Sequence, residues 1–250
     1  MAELVDALDS GSSQGNLVDV RVILAAILFL LFASFNCSAE TMELTYPKVA
    51  LVANGVIRDY PAVLKEIAKY DRIIAVDGGV NHCLAMELRP DLIVGDLDSA
   101  NCQALAAFKD VPVRSYPTEK DETDLELAIE AAKEWGAQEL GLFGCTEGRT
   151  DHLLYNLHIL YRLPAIRIES QNETIFLLEN SQTVTTCPGQ TVSLIPIAGP
   201  CEGITTKGLR WELNNHTFDS HFMSLSNIAL GNSFEIAIAK GRLLCILQKL

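Results

Sequence analysis

From residue 48 the chain alternates short apolar runs with stretches in which apolar residues recur at helical spacing. Val49 to Ala53, Arg72 to Val76, Leu92 to Val94, Val111 to Ser115 and Glu139 to Phe143 read as strands. Between and after them the spacing predicts helices. The first opens near Pro61 and shows Val63, Leu64, Ile67 and Ala68 on one face. The second runs from Val80 to Leu88 and stops before Pro90, and the third has Ser99 as its N-cap and reaches Phe108. The fourth, Thr123 to Trp135, places Leu125, Ala128, Ile129 and Ala132 on one side, with Gly136 as its stop. The last spans Thr150 to Arg162 and ends before Pro164. Strand–helix alternation of this kind predicts a parallel α/β sheet.

After Pro164 the texture changes. Ala165 to Glu169, Thr174 to Leu178, Thr191 to Ile197, Leu209 to Leu213, Phe234 to Ala239 and Leu243 to Leu247 are short β-rich runs separated by Gly, Pro, Asn and Ser. The fold class expected is an α/β domain with a parallel sheet, residues 42–164, followed by a smaller all-β domain, a sandwich or open barrel, residues 165–250.

Residues 1–41 do not belong to either pattern. They carry five acids and one base, Arg21, and include an apolar run from Val22 to Ala33. Twelve residues are short for a membrane span, which takes about 20, and the acidic, long segment before them is unlike a signal peptide. Met42 stands just ahead of the first strand, so residues 1–41 read as an extension from a mis-called start, with a signal- or anchor-like segment as the other reading.

Charge narrows the function classes. The net charge is −13, and −9 without residues 1–41, which argues against a protein that lives on nucleic-acid phosphates. With the extension set aside, no membrane association is expected either. Seven cysteines lie singly, with no CxxC pair, which speaks against a disulfide framework or a zinc ribbon and fits a reducing compartment, the cytoplasm.

The candidate chemistry lies where the predicted strands end. Asn54-Gly55, Asp77-Gly78-Gly79, Gly95-Asp96-Leu97-Asp98-Ser99, Thr118 to Asp124 and Gly144 to His152 all fall at carboxyl ends of strands, the rim where open α/β sheets bind ligands. In an extended segment Asp96 and Asp98 would present both carboxylates to one side. Two such charges about 4 Å apart repel by roughly 4 kcal/mol at an effective dielectric near 20, and a hard cation such as Mg²⁺ is the usual compensation. With Asp77 and Asp124 on the same rim, a metal site outweighs a helix cap. Asp121 reads as the cap of the fourth helix and Asp124 as a ligand. Gly148-Arg149-Thr150-Asp151-His152 opens the last helix and combines free N–H groups with an Arg, which suits an anion. Trp211 is either a core residue or an aromatic platform for a flat or cationic ligand.

Taken in order, Asp77-Gly78-Gly79, Gly95-Asp96-Leu97-Asp98-Ser99, Asp121-Glu122-Thr123-Asp124, Gly148-Arg149-Thr150-Asp151-His152, Gly203 to Trp211 and Ser226-Asn227 resemble thiamine pyrophosphokinase over residues 48–249. The resemblance implies an α/β nucleotide-binding domain with a parallel sheet followed by an all-β sandwich domain, in a homodimeric kinase that moves pyrophosphate from ATP to the thiamine hydroxyl and releases AMP, with thiamine bound at the subunit interface. It places Asp77, Asp96, Asp98 and Asp124 at Mg²⁺ and Asp98, Asp124, Arg149 and Asp151 at the reacting groups. Asn54, Gly78, Gly79, Ser99, Arg149, Asp151 and His152 would bind ATP, and Trp211, Ser226 and Asn227 thiamine. Either Asp98 or Asp124 would take the hydroxyl proton. Glu147 stands where the family usually has Gly, and a positive φ there would strain it.

Two other classes stay in view. Asp96-Leu97-Asp98 faintly resembles the nucleophile motif of haloacid-dehalogenase-type phosphatases, although it follows the third strand rather than the first. A non-catalytic thiamine- or nucleotide-binding protein is the other. Thiamine-dependent release of AMP from ATP separates all three.

Overall fold

The computed structural model describes residues 46–163 and 165–250. The extension and Met42 therefore lie outside the described residues, as does Pro164.

The first half alternates as expected. Its strands are β1 (Lys48–Val52), β2 (Arg72–Val76), β3 (Leu92–Gly95), β4 (Val113–Ser115) and β5 (Glu139–Phe143). Its helices are α1 (Tyr60–Ile67), α2 (Gly79–Ala85), α3 (Cys102–Ala107), α4 (Asp124–Glu134) and α5 (Thr150–Arg162). The strands are parallel in the order β4-β3-β2-β1-β5. Side chains alternate across each strand, so β1 serves two cores. Val49 and Leu51 pack with Ile129 and Leu160 of α4 and α5 on one face, while Ala50 and Val52 pack with Val63, Ile67 and Val80 of α1 and α2 on the other. A strand covered on both faces has no polar side, which is why these runs read as continuous apolar stretches.

Two helix starts differ from expectation. Asn101, not Ser99, caps α3, its Oδ1 accepting the Ala104 N–H. Thr123, not Asp121, caps α4. The Thr123 hydroxyl accepts the Glu126 N–H while the Glu126 carboxylate accepts the Thr123 N–H, a reciprocal box that satisfies two orphan donors of the helix start.

The second half begins inside the same sheet. Strand β6 (Ile166–Glu169) pairs parallel with β5 and antiparallel with β7 (Glu173–Leu178). The sheet then runs outward through β14 (Leu243–Gln248) and β9 (Thr191–Pro196) to the edge strand β12 (Ser224–Ile228), making ten strands. A second sheet, β11-β10-β13-β8, is formed by β8 (Gln182–Thr185), β10 (Cys201–Lys207), β11 (His216–Phe218) and β13 (Ser233–Ala237). Phe176, Leu194 and Cys245 of the large sheet meet Phe218, Phe234 and Ile236 of the small one in a common core, the packing of a sandwich. The α/β half and the β-rich half thus share one continuous sheet.

Leu209 to Leu213, expected as a strand, is a tight excursion with a single bridge from Leu209 to Ala229. Strands β8, β10, β11 and β12 escape the sequence pattern. In β8 only Val184 is buried, and in β12 only Asn227, so neither shows an apolar run. No helix among the described residues is long and apolar enough to cross a membrane.

Candidate active site

The chain leaves β1 toward β2 on one side and returns beside β1 through β5 on the other, so the strand order reverses at β1. Such a reversal opens a crevice at the carboxyl ends of the strands. The Ala53 N–H donates to Phe143 O at 2.8 Å and the Gly55 N–H to Gly144 O at 2.9 Å, tying the two loops together. Gly144 has φ +64°, and a Cβ there would stand 2.4 Å from Ala53 O. Beside these loops lies a cleft of about 740 Å³. Asn54, Asp77, Ser99, Asp124, Arg149, Asp151 and His152 all line it.

Asp77 ends β2 with φ +47°, a conformation rare for a non-glycine residue. Its N–H donates to Val94 O at 2.8 Å, and Gly95 leaves room for it, since a Cβ on Gly95 would lie 3.1 Å from the Asp77 Cα. Gly78 and Gly79 serve packing. A Cβ on Gly79 would fall 1.8 Å from Val52 O, and one on Gly78 would meet the Asn54 amide at 2.4 Å. The start of α2 is thereby pressed against the β1 loop.

One carboxylate oxygen each from Asp77, Asp96 and Asp124 lies within 4.8 Å of the others. Asp98 is not in this group. The extended geometry expected for Asp96-Leu97-Asp98 is not adopted: Leu97 has φ +65° and turns the chain back, so that the Asp98 N–H donates to Asp96 Oδ1 at 3.3 Å. The Asp98 carboxylate instead accepts the Ser99 hydroxyl at 2.9 Å, and the Ser99 N–H reaches Asp77 Oδ1 at 3.4 Å. Hydrogen bonds, led by the Asp98 N–H, hold the Asp96 carboxyl below its ordinary range. Burial pushes Asp124 up, aided by the charges of Asp96 and Asp77 and opposed by Lys120.

Arg149 precedes α5 and forms a two-pronged pair with Asp151, at 2.6 Å and 3.1 Å. Both side chains are largely exposed, so the pair adds little to stability; it presents an oriented guanidinium at the cleft. Glu147 is unstrained. The positive φ, +117°, falls on Gly148, and Glu147 accepts hydrogen bonds from Arg58 Nε at 2.8 Å and Gln171 Nε2 at 3.0 Å.

Trp211 is not a core residue: it is 58% exposed. Buried Asn227 holds its backbone from both sides. Ser226 has φ +55°, and its N–H donates to Ser193 Oγ at 3.0 Å. Arg210 lies 5.6 Å from the Trp211 ring centroid. None of Trp211, Ser226 and Asn227 lines the cleft.

The family model of the thiamin pyrophosphokinase catalytic domain matches residues 63–175, and that of the thiamin pyrophosphokinase vitamin B1 binding domain matches residues 174–243. The chain belongs to the thiamine pyrophosphokinase family. It is 28% identical over 207 residues to the thiamine pyrophosphokinase of Bacillus subtilis (strain 168), covering 79% of this chain and 97% of that protein. The crystal structure of the B. subtilis thiamine pyrophosphokinase superposes with a TM-score of 0.72 at 25% identity, over 81% of this chain and 99% of that one. The thiamin pyrophosphokinase of Geobacillus thermodenitrificans does so with a TM-score of 0.72 at 26% identity, over 81% and 98%.

The residues present suit a divalent cation. Asp124 Oδ1 is removed from water and makes no hydrogen bond; its neighbour is the Lys120 ammonium at 3.0 Å, an ion pair outside hydrogen-bonding angles. A carboxylate oxygen in that state, grouped with two more carboxylates, is a hard-oxygen donor set.

Four further residues that shape the site were not singled out from the sequence. Lys120 partners Asp124. Asn81 of α2 pins the Asp96–Ser99 loop, donating to Ser99 O at 2.9 Å and accepting from the Asn101 N–H at 2.9 Å. Asn156 donates to Cys145 O at 3.1 Å, and the Tyr155 hydroxyl donates to Glu126 Oε1 at 3.0 Å. Helical spacing puts Tyr155 and Asn156 on the face of α5 shared with His152, a signal open to sequence reading. Asn81 and Lys120 carried no such mark.

Proposed function

We infer that this chain is a thiamine pyrophosphokinase: it transfers the pyrophosphoryl group of ATP to the hydroxyl of thiamine, giving thiamine diphosphate and AMP. The observation that carries the reading is the coincidence of two matches, catalytic and vitamin-binding, with a three-carboxylate group of which Asp77 and Asp124 line the cleft at the strand-order reversal.

In this reading Asp77, Asp96 and Asp124 hold Mg²⁺, which when bound neutralises phosphate charge. The backbone and side chains of Asn54, Gly78, Gly79 and Ser99 seat the nucleotide, and Arg149, oriented by Asp151 beside His152, faces the transferring group. Transfer of this type is largely positioning and charge neutralisation. Asp98 lies outside the three-carboxylate group, which leaves it to accept the hydroxyl proton as thiamine attacks the β-phosphorus in line. Trp211, with Ser226 and Asn227, offers an aromatic face to the cationic thiamine ring.

The division of labour, nucleotide on residues 42–164 and thiamine on residues 165–250, belongs to the same proposal, as do a homodimer and a cytoplasmic location. Edge strand β12 supports the dimer: Leu225 on it and Phe222, Met223 and Leu230 beside it are exposed apolar side chains near Trp211. Exposed apolar side chains on and beside an edge strand suit an interaction surface.

The test is formation of AMP and thiamine diphosphate from ATP, dependent on added thiamine. Phosphate release without thiamine would point instead to a phosphatase, and binding of either ligand without turnover to a non-catalytic protein.

A further inference from the structure

Lys120 is a cation at the unfavourable end of a helix. Its backbone precedes the Thr123 cap of α4, where the helix dipole disfavours positive charge. Its side chain is nonetheless only 12% exposed, with Nζ 3.0 Å from Asp124 Oδ1 and donating to Pro117 O at 3.0 Å. Lysine is seldom held in this way without a partner charge, and Asp124 supplies it. One carboxylate oxygen of Asp124 in turn lies within 4.8 Å of one each from Asp77 and Asp96. The ammonium therefore stands in the position of a counter-ion to three carboxylates.

A divalent cation held by those carboxylates has to share Asp124 with Nζ, and two cations on one carboxylate repel. The lysine has four flexible carbons and can leave; an ammonium released beside a phosphate site is itself a phosphate ligand. We propose that Lys120 is a built-in counter-cation that a divalent ion displaces from Asp124, and that the displaced ammonium then holds a phosphate oxygen of the nucleotide. The proposal rests on the metal–ATP reading above and adds a positioning residue to it. It has a sign that a merely structural lysine would not produce: Lys120 weakens metal binding in the absence of nucleotide and strengthens nucleotide binding in the presence of metal.

The experiment uses the full chain and Mn²⁺ alone, followed by the electron paramagnetic resonance of the free ion. Lys120→Met should bind Mn²⁺ more tightly, on the order of tenfold, because a nearby positive charge is gone. The same variant should show an ATP KM raised on the order of tenfold at saturating Mg²⁺ through the lost phosphate contact. Lys120→Arg keeps the charge and should stay within about twofold of the parent in Mn²⁺ affinity. A folded Lys120→Met with equal or weaker Mn²⁺ affinity overturns the proposal.

A second measurement needs no variant. With an amine-acylating reagent and mass spectrometry, Lys120 should be protected in the metal-free chain, gain label with Mn²⁺ alone, and lose it again with Mn²⁺ and a non-hydrolysable ATP analogue. Labelling that ignores Mn²⁺ overturns the proposal by itself. A parent chain that binds no Mn²⁺ overturns the metal reading and this proposal together, whereas failure of the Lys120 arms with normal Mn²⁺ binding overturns this proposal alone.

Discussion

The side chain of Asn227 grips the backbone of Trp211 at both ends of the residue: its Oδ1 accepts the Trp211 N–H at 3.1 Å, and its Nδ2 donates to the Trp211 carbonyl at 2.8 Å. Asn227 is 2% exposed while Trp211, which it positions, is 58% exposed. A buried amide thus holds an aromatic face in solvent, an arrangement suited to a ligand rather than to core packing. Asn227→Ala should cost about 1–3 kcal/mol of stability. It should also raise the KM for thiamine well above any change in the KM for ATP. Denaturant unfolding and steady-state kinetics check the two effects; equal changes in both KM values would contradict the assigned role.

Asp96 and Asp98 are two residues apart, yet only Asp96 joins Asp77 and Asp124. Asp96→Asn and Asp98→Asn should each lower turnover on the order of a hundredfold or more. They should differ in metal binding, which Asp96→Asn weakens and Asp98→Asn leaves near the parent value. Titration with Mn²⁺ distinguishes them, and a matching loss in both variants would return Asp98 to the metal site.

His82 links the floor of the site to α1. Its Nε2 is 2.8 Å from Gly55 O, an acceptor, so Nε2 carries the proton and Nδ1 accepts the Tyr60 hydroxyl at 2.9 Å. Burial holds its pKa below the ordinary 6.5. A histidine kept neutral in the folded chain binds fewer protons than in the unfolded chain, so its contribution is complete above pH 6.5 and is lost as pH falls from there through the lower folded value. Thermal unfolding between pH 7 and 5 should therefore show a fall in stability that His82→Gln reduces. An identical pH dependence in both chains would remove His82 as its source.

Trp211 does not line the cleft that Asp77 and Asp124 line. If a two-fold dimer brings one subunit's Trp211 to its partner's rim, mixing Asp96→Asn subunits with Trp211→Ala subunits should restore one intact site per mixed dimer. Activity above that of either parent homodimer is the expected result. None in a verified mixed dimer would put both groups to work within one subunit.

A chain beginning at Met42 should fold and keep the activity of the longer one, because every strand and helix among the described residues begins after it. Comparing the two by thermal melt and turnover tests this; loss of either would make residues 1–41 part of the working protein.

What the sequence determined by itself is local and periodic. Arg72–Val76 and Thr150–Arg162 are bounded as their patterns predict, because strands covered on both faces and amphipathic helices write their burial directly into the order of residues. The placing of polar clusters after strands was equally legible, since it follows from parallel topology. Tertiary structure decided the rest. Edge strands β8 and β12 bury one residue each and so leave no periodic trace. The choice of Asp77, Asp96 and Asp124 over Asp98 depends on a left-handed turn at Leu97, a residue type that rarely takes one. Lys120 carries no mark in the sequence, and becomes a partner of Asp124 only because β2, β3 and the start of α4 bring three carboxylates together and draw its ammonium to them.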